Sequence, residues 1–158
     1  MKKVFITGGA GFIGSHLVDR LLSRDDKVLV LDNYATGRRD NLSPHKNLKV
    51  VEGSITEKEL VDNLVHEFQP DVVVHAAASY KDPNNWVEDC QTNTTGTAIV
   101  LQASQKARVS RFVYFQTALC YGLKPVEQPI TLNHPILPRG SSYAISKTAG
   151  EDYVHLSG

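Results

Sequence analysis

The sequence contains little of several residue types, and each shortage narrows the possible functions. Only 2 cysteines occur in 158 residues, so no disulfide framework is indicated. The formal net charge is zero, because 17 basic side chains match 17 acidic ones, which gives no electrostatic footprint for nucleic acid or an anionic membrane. No apolar run approaches the length of a membrane span, and the 6 histidines lack metal-ligand spacing. We therefore expect a cytoplasmic protein without a metal site, a nucleic-acid partner or a membrane partner.

Short apolar segments alternate with amphipathic ones along the whole chain. The pattern predicts strands near 3–7, 27–32, 48–52, 71–75 and 111–116, and helices near 12–23, 57–68, 85–107 and 142–156. Thr56 is the predicted N-cap of the second helix, with Glu59 as its capping-box partner. This alternation is typical of an α/β fold with a Rossmann-type doubly wound parallel sheet. No sixth strand follows the last helix, so we expect residues 1–158 to be the N-terminal domain of a longer protein that adds the C-terminal strand and a substrate domain.

Residues 4–14 carry the most specific motif of the chain. A β-prone segment leads into Gly9-Ala10-Gly11-Phe12-Ile13-Gly14, which fits the pattern G-x-G-x-x-G and precedes an amphipathic segment. Asp32 follows at the end of the second apolar segment, where a carboxylate can accept a hydrogen bond from a ribose 2′-hydroxyl. Together they predict a bound NAD rather than a plain strand–loop–helix turn. A carboxylate at this place repels a 2′-phosphate, although Arg38 and Arg39 keep NADP as an alternative.

A tyrosine and a lysine are spaced four residues apart at the start of the last predicted helix. Tyr143 and Lys147 would share one face of that helix, and a nearby ammonium lowers the pKa of a phenol toward that of a usable general base. Thr117 follows the strand at 111–116, at the edge of the sheet where ligands bind in open α/β folds. The structural alternatives are an exposed helix pair for the first two residues and a loop hydrogen bond for Thr117.

Several further segments occur in a recognisable order around these motifs. They are Thr7–Leu17, Leu31-Asp32-Asn33, His75-Ala76-Ala77-Ala78, Asn93-Thr94-Thr95-Gly96-Thr97, Thr117–Gly122 and Ser142–Lys147. As a set they resemble the extended short-chain dehydrogenase/reductase superfamily, and most closely its nucleotide-sugar epimerases and dehydratases of the UDP-glucose 4-epimerase type.

The resemblance implies a role for each matching residue. The catalytic set would be Thr117, Tyr143 and Lys147, with Tyr143 removing the proton of the sugar 4-hydroxyl while hydride passes from C4 to NAD and later returns to the other face. The implied NAD contacts are Gly8, Gly11, Phe12, Ile13, Asp32, Asn33, Ala35, Thr36, Gly37, Ser54, Ile55, Ala76, Ala77, Ala78, Asn93, Tyr143 and Lys147. The implied partners are a nucleotide sugar, above all a UDP-sugar, and a second copy of the chain packed through the helices near 85–107 and 142–156.

Two departures from the family pattern refine the prediction. The third strand is followed by Gly53-Ser54-Ile55, without the aspartate that often faces the adenine. Ala118 and Leu119 stand where 4,6-dehydratases carry Asp-Glu, and neither side chain can transfer a proton. We therefore predict an NAD-dependent C4 epimerase. The alternatives are a dehydrogenase, reductase or decarboxylase of the same family, and a non-catalytic NAD-binding module.

Overall fold

Five parallel strands form a single sheet in the computed structural model, which describes all residues from 1 to 158. The strands are β1 (Lys3–Thr7), β2 (Lys27–Asp32), β3 (Leu48–Glu52), β4 (Val72–His75) and β5 (Arg111–Tyr114). Their order in the sheet is β3-β2-β1-β4-β5. The chain thus winds outward from β1 in both directions, and the order reverses between β1 and β4, which is where such folds bind ligands. The predicted Rossmann-type sheet is confirmed.

Helices connect the strands and cover both faces of the sheet. They are α1 (Phe12–Leu22), α2 (Lys58–Phe68), α3 (Trp86–Asp89), a π-helical segment (Cys90–Gly96), α4 (Thr97–Lys106) and α5 (Ser142–Ser157), with 3₁₀ turns at Arg39–Asn41 and Ala118–Tyr121. The helix predicted near 85–107 is therefore helical throughout but widens to π geometry in its middle, a deviation that is frequent at functional sites. None of the helices is both long enough and apolar enough to cross a membrane.

The two faces of the sheet bury alternate residues of the same strands. Phe5 packs with residues of α2 and α4 in one core cluster, whereas Val4 and Ile6 pack with residues of α1 in the other. The period of two is that of an extended strand, and burial on both sides explains the unbroken apolar runs. The two cores fix the strand ends, and with them the loops that form the site.

The predicted N-cap of α2 is wrong. Helix α2 begins at Lys58 with Glu57 as its N-cap residue, and no side chain caps it. The hydroxyl of Thr56 instead lies 2.8 Å from that of Ser54, whose backbone N–H donates to the Glu57 carboxylate at 2.6 Å. The polar side chains before α2 therefore stabilise the loop after β3 instead of the helix end, a competition that is common for Ser and Thr.

Candidate active site

A cavity of about 590 Å³ opens at the carboxyl ends of the strands. Sixteen of the predicted site residues line it: Gly8, Gly11, Phe12, Ile13, Asp32, Asn33, Ala35, Thr36, Gly37, Ser54, Ile55, Ala76, Ala77, Ala78, Tyr143 and Lys147. Ten further residues, which are not among the predicted site residues, complete the wall: Gly14, Leu31, Gly53, Ser79, Tyr80, Glu88, Thr92, Tyr114, Phe115 and Gln116. No group of three His, Cys, Asp or Glu side chains is arranged to hold a metal ion.

The glycine loop leaves the first turn of α1 open toward the cavity. Gly8 has a φ of +71°, and a Cβ there would lie 2.6 Å from the backbone nitrogen of Ala77, so only glycine fits. Gly11 is the N-cap residue of α1, and no side chain bonds to the helix end. The free N–H groups and the positive end of the helix dipole form an anion site that suits a pyrophosphate. The residues present therefore fit a dinucleotide.

Asp32 joins the end of β2 to the glycine loop. Its Oδ2 accepts a hydrogen bond from the backbone N–H of Ala10 at 2.8 Å, and its Oδ1 accepts one from the N–H of Tyr34 at 2.8 Å. Each carboxylate oxygen retains a second lone pair, so the group can still accept from a ribose hydroxyl. Arg38 is paired with Asp40 and Arg39 with Glu52, so both arginines already have acidic partners. This pairing favours NAD over NADP.

Lys147 is the buried cation of the site. Its side chain is only 2% exposed, and its Nζ lies 3.9 Å from the centre of the Tyr114 ring. The Tyr114 hydroxyl donates to the backbone oxygen of Lys147 at 2.8 Å, so one side chain contacts the lysine at both ends. Burial lowers the pKa of Lys147 to about 8, while the carboxylate of Glu151 opposes that change.

Tyr143 stands one turn before Lys147 on α5, which Ser141 caps by accepting the N–H of Ala144. The predicted lowering of the Tyr143 pKa by Lys147 is not seen. Burial instead raises the pKa of the phenol, and a hydrogen bond with the Thr117 side chain only partly opposes this. The reason is geometric, because the ammonium of Lys147 faces the ring of Tyr114.

Two predicted site residues do not line the cavity. Asn93 is buried and both polar atoms of its amide bond within the protein: Oδ1 accepts from the N–H of Ser79, and Nδ2 donates to the Ser79 carbonyl and to the hydroxyl of Ser146. It holds Ser79, a cavity residue, in place and does not itself face the cavity. The Thr117 hydroxyl accepts from the N–H of Leu119 at 3.2 Å, the loop role considered above, and it also lies beside Tyr143.

The sequence analysis names His75 only as part of a matching segment and gives no role to this buried histidine beneath the cavity. His75 Nδ1 lies 2.6 Å from the Thr7 hydroxyl, and its Nε2 lies 2.9 Å from the hydroxyl of Thr97, which donates to the Asn93 carbonyl at 2.6 Å. Since Thr97 gives its proton to Asn93, the hydrogen bonds assign the histidine proton to Nε2. Burial lowers the pKa of His75 to about 3, so the ring is neutral. A histidine inside an apolar strand was the one available signal.

Residues 4–157 match the NAD dependent epimerase/dehydratase family. The chain belongs to this family. The predicted resemblance to nucleotide-sugar epimerases and dehydratases is confirmed, and the prediction of NAD is confirmed at the level of the family, which is NAD-dependent.

Solved structures of enzymes from Bordetella bronchiseptica are similar over the whole chain. The enzyme WbmH, in complex with NAD⁺, is 59% identical with a TM-score of 0.97, covering 100% of this chain and 53% of that one. The enzyme WbmG, in complex with NAD and UDP, is 46% identical with a TM-score of 0.95, covering 98% of this chain and 49% of that one.

A curated relative is a putative UDP-glucose 4-epimerase from Methanocaldococcus jannaschii. It is 36% identical over 156 residues, which are 97% of this chain and 50% of the relative. The chain thus spans about half the length of the proteins it matches.

Proposed function

We propose that the full-length protein is an NAD-dependent epimerase that inverts C4 of the sugar in a nucleotide sugar, with a UDP-sugar as substrate. The observation that carries the proposal is that α5 brings Tyr143 and Lys147 to the wall of the same cavity as the glycine loop and Asp32. A base and a dinucleotide site within one cavity are what a transient oxidation of a hydroxyl requires. The relative named as a putative UDP-glucose 4-epimerase and the neighbour that contains NAD and UDP support the choice of substrate.

Different residues of the cavity would contact different parts of the cofactor. We infer that Gly11 and the first turn of α1 hold the pyrophosphate, that Asp32 accepts from a ribose hydroxyl, and that the loop 35–37 lies alongside. Ser54 and Ile55 follow β3 and would take the adenine, while Ala76, Ala77 and Ala78 follow β4 and would take the nicotinamide half. Asn93 contributes by holding Ser79.

Proton transfer falls to Tyr143. NAD held by these cavity residues would supply a reversible hydride acceptor for C4 and a positive charge that favours the phenolate. The Tyr143 phenolate would take the proton of the 4-hydroxyl and the resulting phenol would give it back, and Thr117 would hold the same oxygen by a hydrogen bond. Lys147 would keep a positive charge beneath the site and donate to a ribose hydroxyl. Ala118 and Leu119 carry no acid or base, which argues against elimination of water.

A homodimer is part of the proposal. Exposed apolar side chains lie on the helices near 85–107 and 142–156, among them Val87, Ile145 and Leu156. A second copy of the chain would bury them.

The test uses the full-length protein and a panel of UDP-hexoses, UDP-N-acetylhexosamines and UDP-glucuronic acid. We expect bound NAD, interconversion of two sugars without net NADH, and loss of at least 100-fold in kcat for Tyr143→Phe. Tyr153→Phe, on the same helix, is the matched control and should keep full activity. Net NADH would point to a dehydrogenase and release of CO₂ to a decarboxylase. Bound NAD without turnover of any sugar would point to a binding module.

A further inference from the structure

Gln116 connects the loop of Thr117 to helix α5. Its Oε1 accepts the backbone N–H of Thr117 at 2.8 Å, and its Nε2 donates to Oε2 of Glu151 at 2.6 Å. Both contacts are partly buried, and Gln116 also lines the cavity. Glu151 stands four residues after Lys147, so the two side chains share one face of α5.

The backbone at this place has two other hydrogen bonds, in which the N–H of Phe115 donates to the His75 carbonyl and the N–H of Cys120 donates to the Thr117 carbonyl, each at 3.2 Å. Strand β5 ends at Tyr114, and the 3₁₀ turn begins only at Ala118, so residues 115–117 belong to no regular element. The N–H of Thr117 is satisfied by the side chain of its own neighbour rather than by a strand. Gln116 and the carboxylate that it bonds therefore connect the backbone of Thr117 to α5.

We propose that Gln116 and Glu151 form a positioning bridge, which fixes Thr117 against α5 and holds the Glu151 carboxylate on the face of α5 that carries Lys147, where its negative charge favours the ammonium. Neither residue needs to contact the substrate, because each acts through a neighbour. The catalytic consequence rests on the proposed function, whereas the effect on the charge of Lys147 does not.

Among the groups around Lys147, Glu151 is the one whose charge favours the ammonium. His75 of β4 is neutral, and Tyr114 of β5 offers the face of its ring. Burial raises the pKa of the Tyr143 phenol on α5, and the charge of Asp89 contributes to that increase. Burial raises the pKa of the Cys120 thiol in the 3₁₀ turn, and the negative charge of Glu151 raises it further. Glu151 is the acidic side chain that raises the pKa of Lys147 against the effect of burial.

The decisive experiment titrates Lys147 in the full-length protein. The ¹³Cε shift of labelled lysine is followed against pH, and the signal is assigned by its loss in Lys147→Arg. Glu151→Gln keeps an oxygen that Gln116 can bond but removes the charge, so the midpoint of Lys147 should move to lower pH. Asp152→Asn removes an exposed carboxylate from the next position of α5 and should leave the midpoint unchanged.

Gln116→Ala provides the second variant. It releases the Glu151 carboxylate and the N–H of Thr117, so the midpoint should move in the same direction but less, and kcat should fall with little change in KM. Unchanged midpoints in both variants, or an equal shift in Asp152→Asn, would overturn the proposal.

The pH profile of turnover separates this proposal from the proposed function. In Glu151→Gln the alkaline limb of kcat should move to lower pH, because Lys147 loses its proton earlier. A protein that shows the shift in the NMR titration but turns over no sugar would disprove the epimerase and leave the bridge standing. A protein that epimerises normally but shows no shift of the Lys147 midpoint in the variants would disprove the bridge and leave the epimerase standing.

Discussion

Replacing Gly11 by alanine should weaken the binding of NAD and leave the fold almost unchanged. Gly11 has a φ of −74° and a ψ of 176°, which is extended backbone open to any residue. A Cβ there would meet only the Gly8 carbonyl oxygen, at 3.3 Å. The methyl group would instead lie before the first turn of α1, in the space that we assign to the pyrophosphate.

These contacts set the expected changes in unfolding free energy and in the Kd for NAD. Alanine is a poorer N-cap than glycine by roughly 0.5–1 kcal/mol. The reduced freedom of the unfolded chain returns about 0.4–1 kcal/mol, so the two effects nearly cancel. Loss of one hydrogen bond to a charged phosphate costs about 1.5–3 kcal/mol. That loss corresponds to a roughly ten- to hundred-fold increase in Kd.

The assay compares urea unfolding of NAD-free protein with calorimetric titration of NAD. Gly8→Ala is the contrasting variant, because its positive φ and its contact with the Ala77 backbone place the damage in the fold. It should lose at least about 1–2 kcal/mol of unfolding free energy from the left-handed conformation alone. A Gly11→Ala protein that binds NAD as tightly as the wild type would refute the assignment of the pyrophosphate to this turn.

Three further variants probe other parts of the site. Lys147→Met should raise the free energy of unfolding at pH 7, by about 3 kcal/mol at most, because a pKa of about 8 instead of 10.5 means that the unfolded chain binds the lysine proton more tightly. The wild type should therefore gain stability relative to this variant as the pH rises from 8 to 10.5, which pH-dependent unfolding would show. Asp32→Asn leaves one oxygen for two backbone N–H groups, so both NAD affinity and unfolding free energy should fall, the latter by about 1–3 kcal/mol in urea unfolding. His134 is buried and bonds through both ring nitrogens within the loop 122–141, so His134→Ala should speed limited proteolysis there while the core stays intact.

The parts of the site that the sequence predicts are those encoded by local pattern. The glycine loop, the acidic residue after β2 and the pair on α5 each depend on a strand or helix that a short window reveals. The limits of β1, β2 and β3 also follow from local pattern, since both faces of the sheet are buried and the apolar runs are continuous, whereas β5 ends at Tyr114, two residues before the predicted end.

The parts that escaped prediction depend on contacts between distant residues. Asn93 bonds to Ser79 and Ser146, which lie 14 and 53 residues away, and such partners leave no trace in local spacing. The raised pKa of Tyr143 has the same origin, because burial depends on which elements pack around the phenol. The sequence places the tyrosine and lysine on one face but does not show that the ammonium turns to Tyr114.

Because His75 is neutral, the buried polar network adds no second positive charge near Lys147. Burial is the main reason that the pKa of His75 is lowered, and repulsion between a protonated histidine and the Lys147 ammonium lowers it further. Because Thr7 and Thr97 satisfy both ring nitrogens, the neutral ring costs no unpaired polar group. The network thus joins β1, β4 and the π-helical segment without adding a charge. Lys147 remains the buried cation beneath the cavity, and Glu151 is the acidic side chain that raises its pKa against the effect of burial.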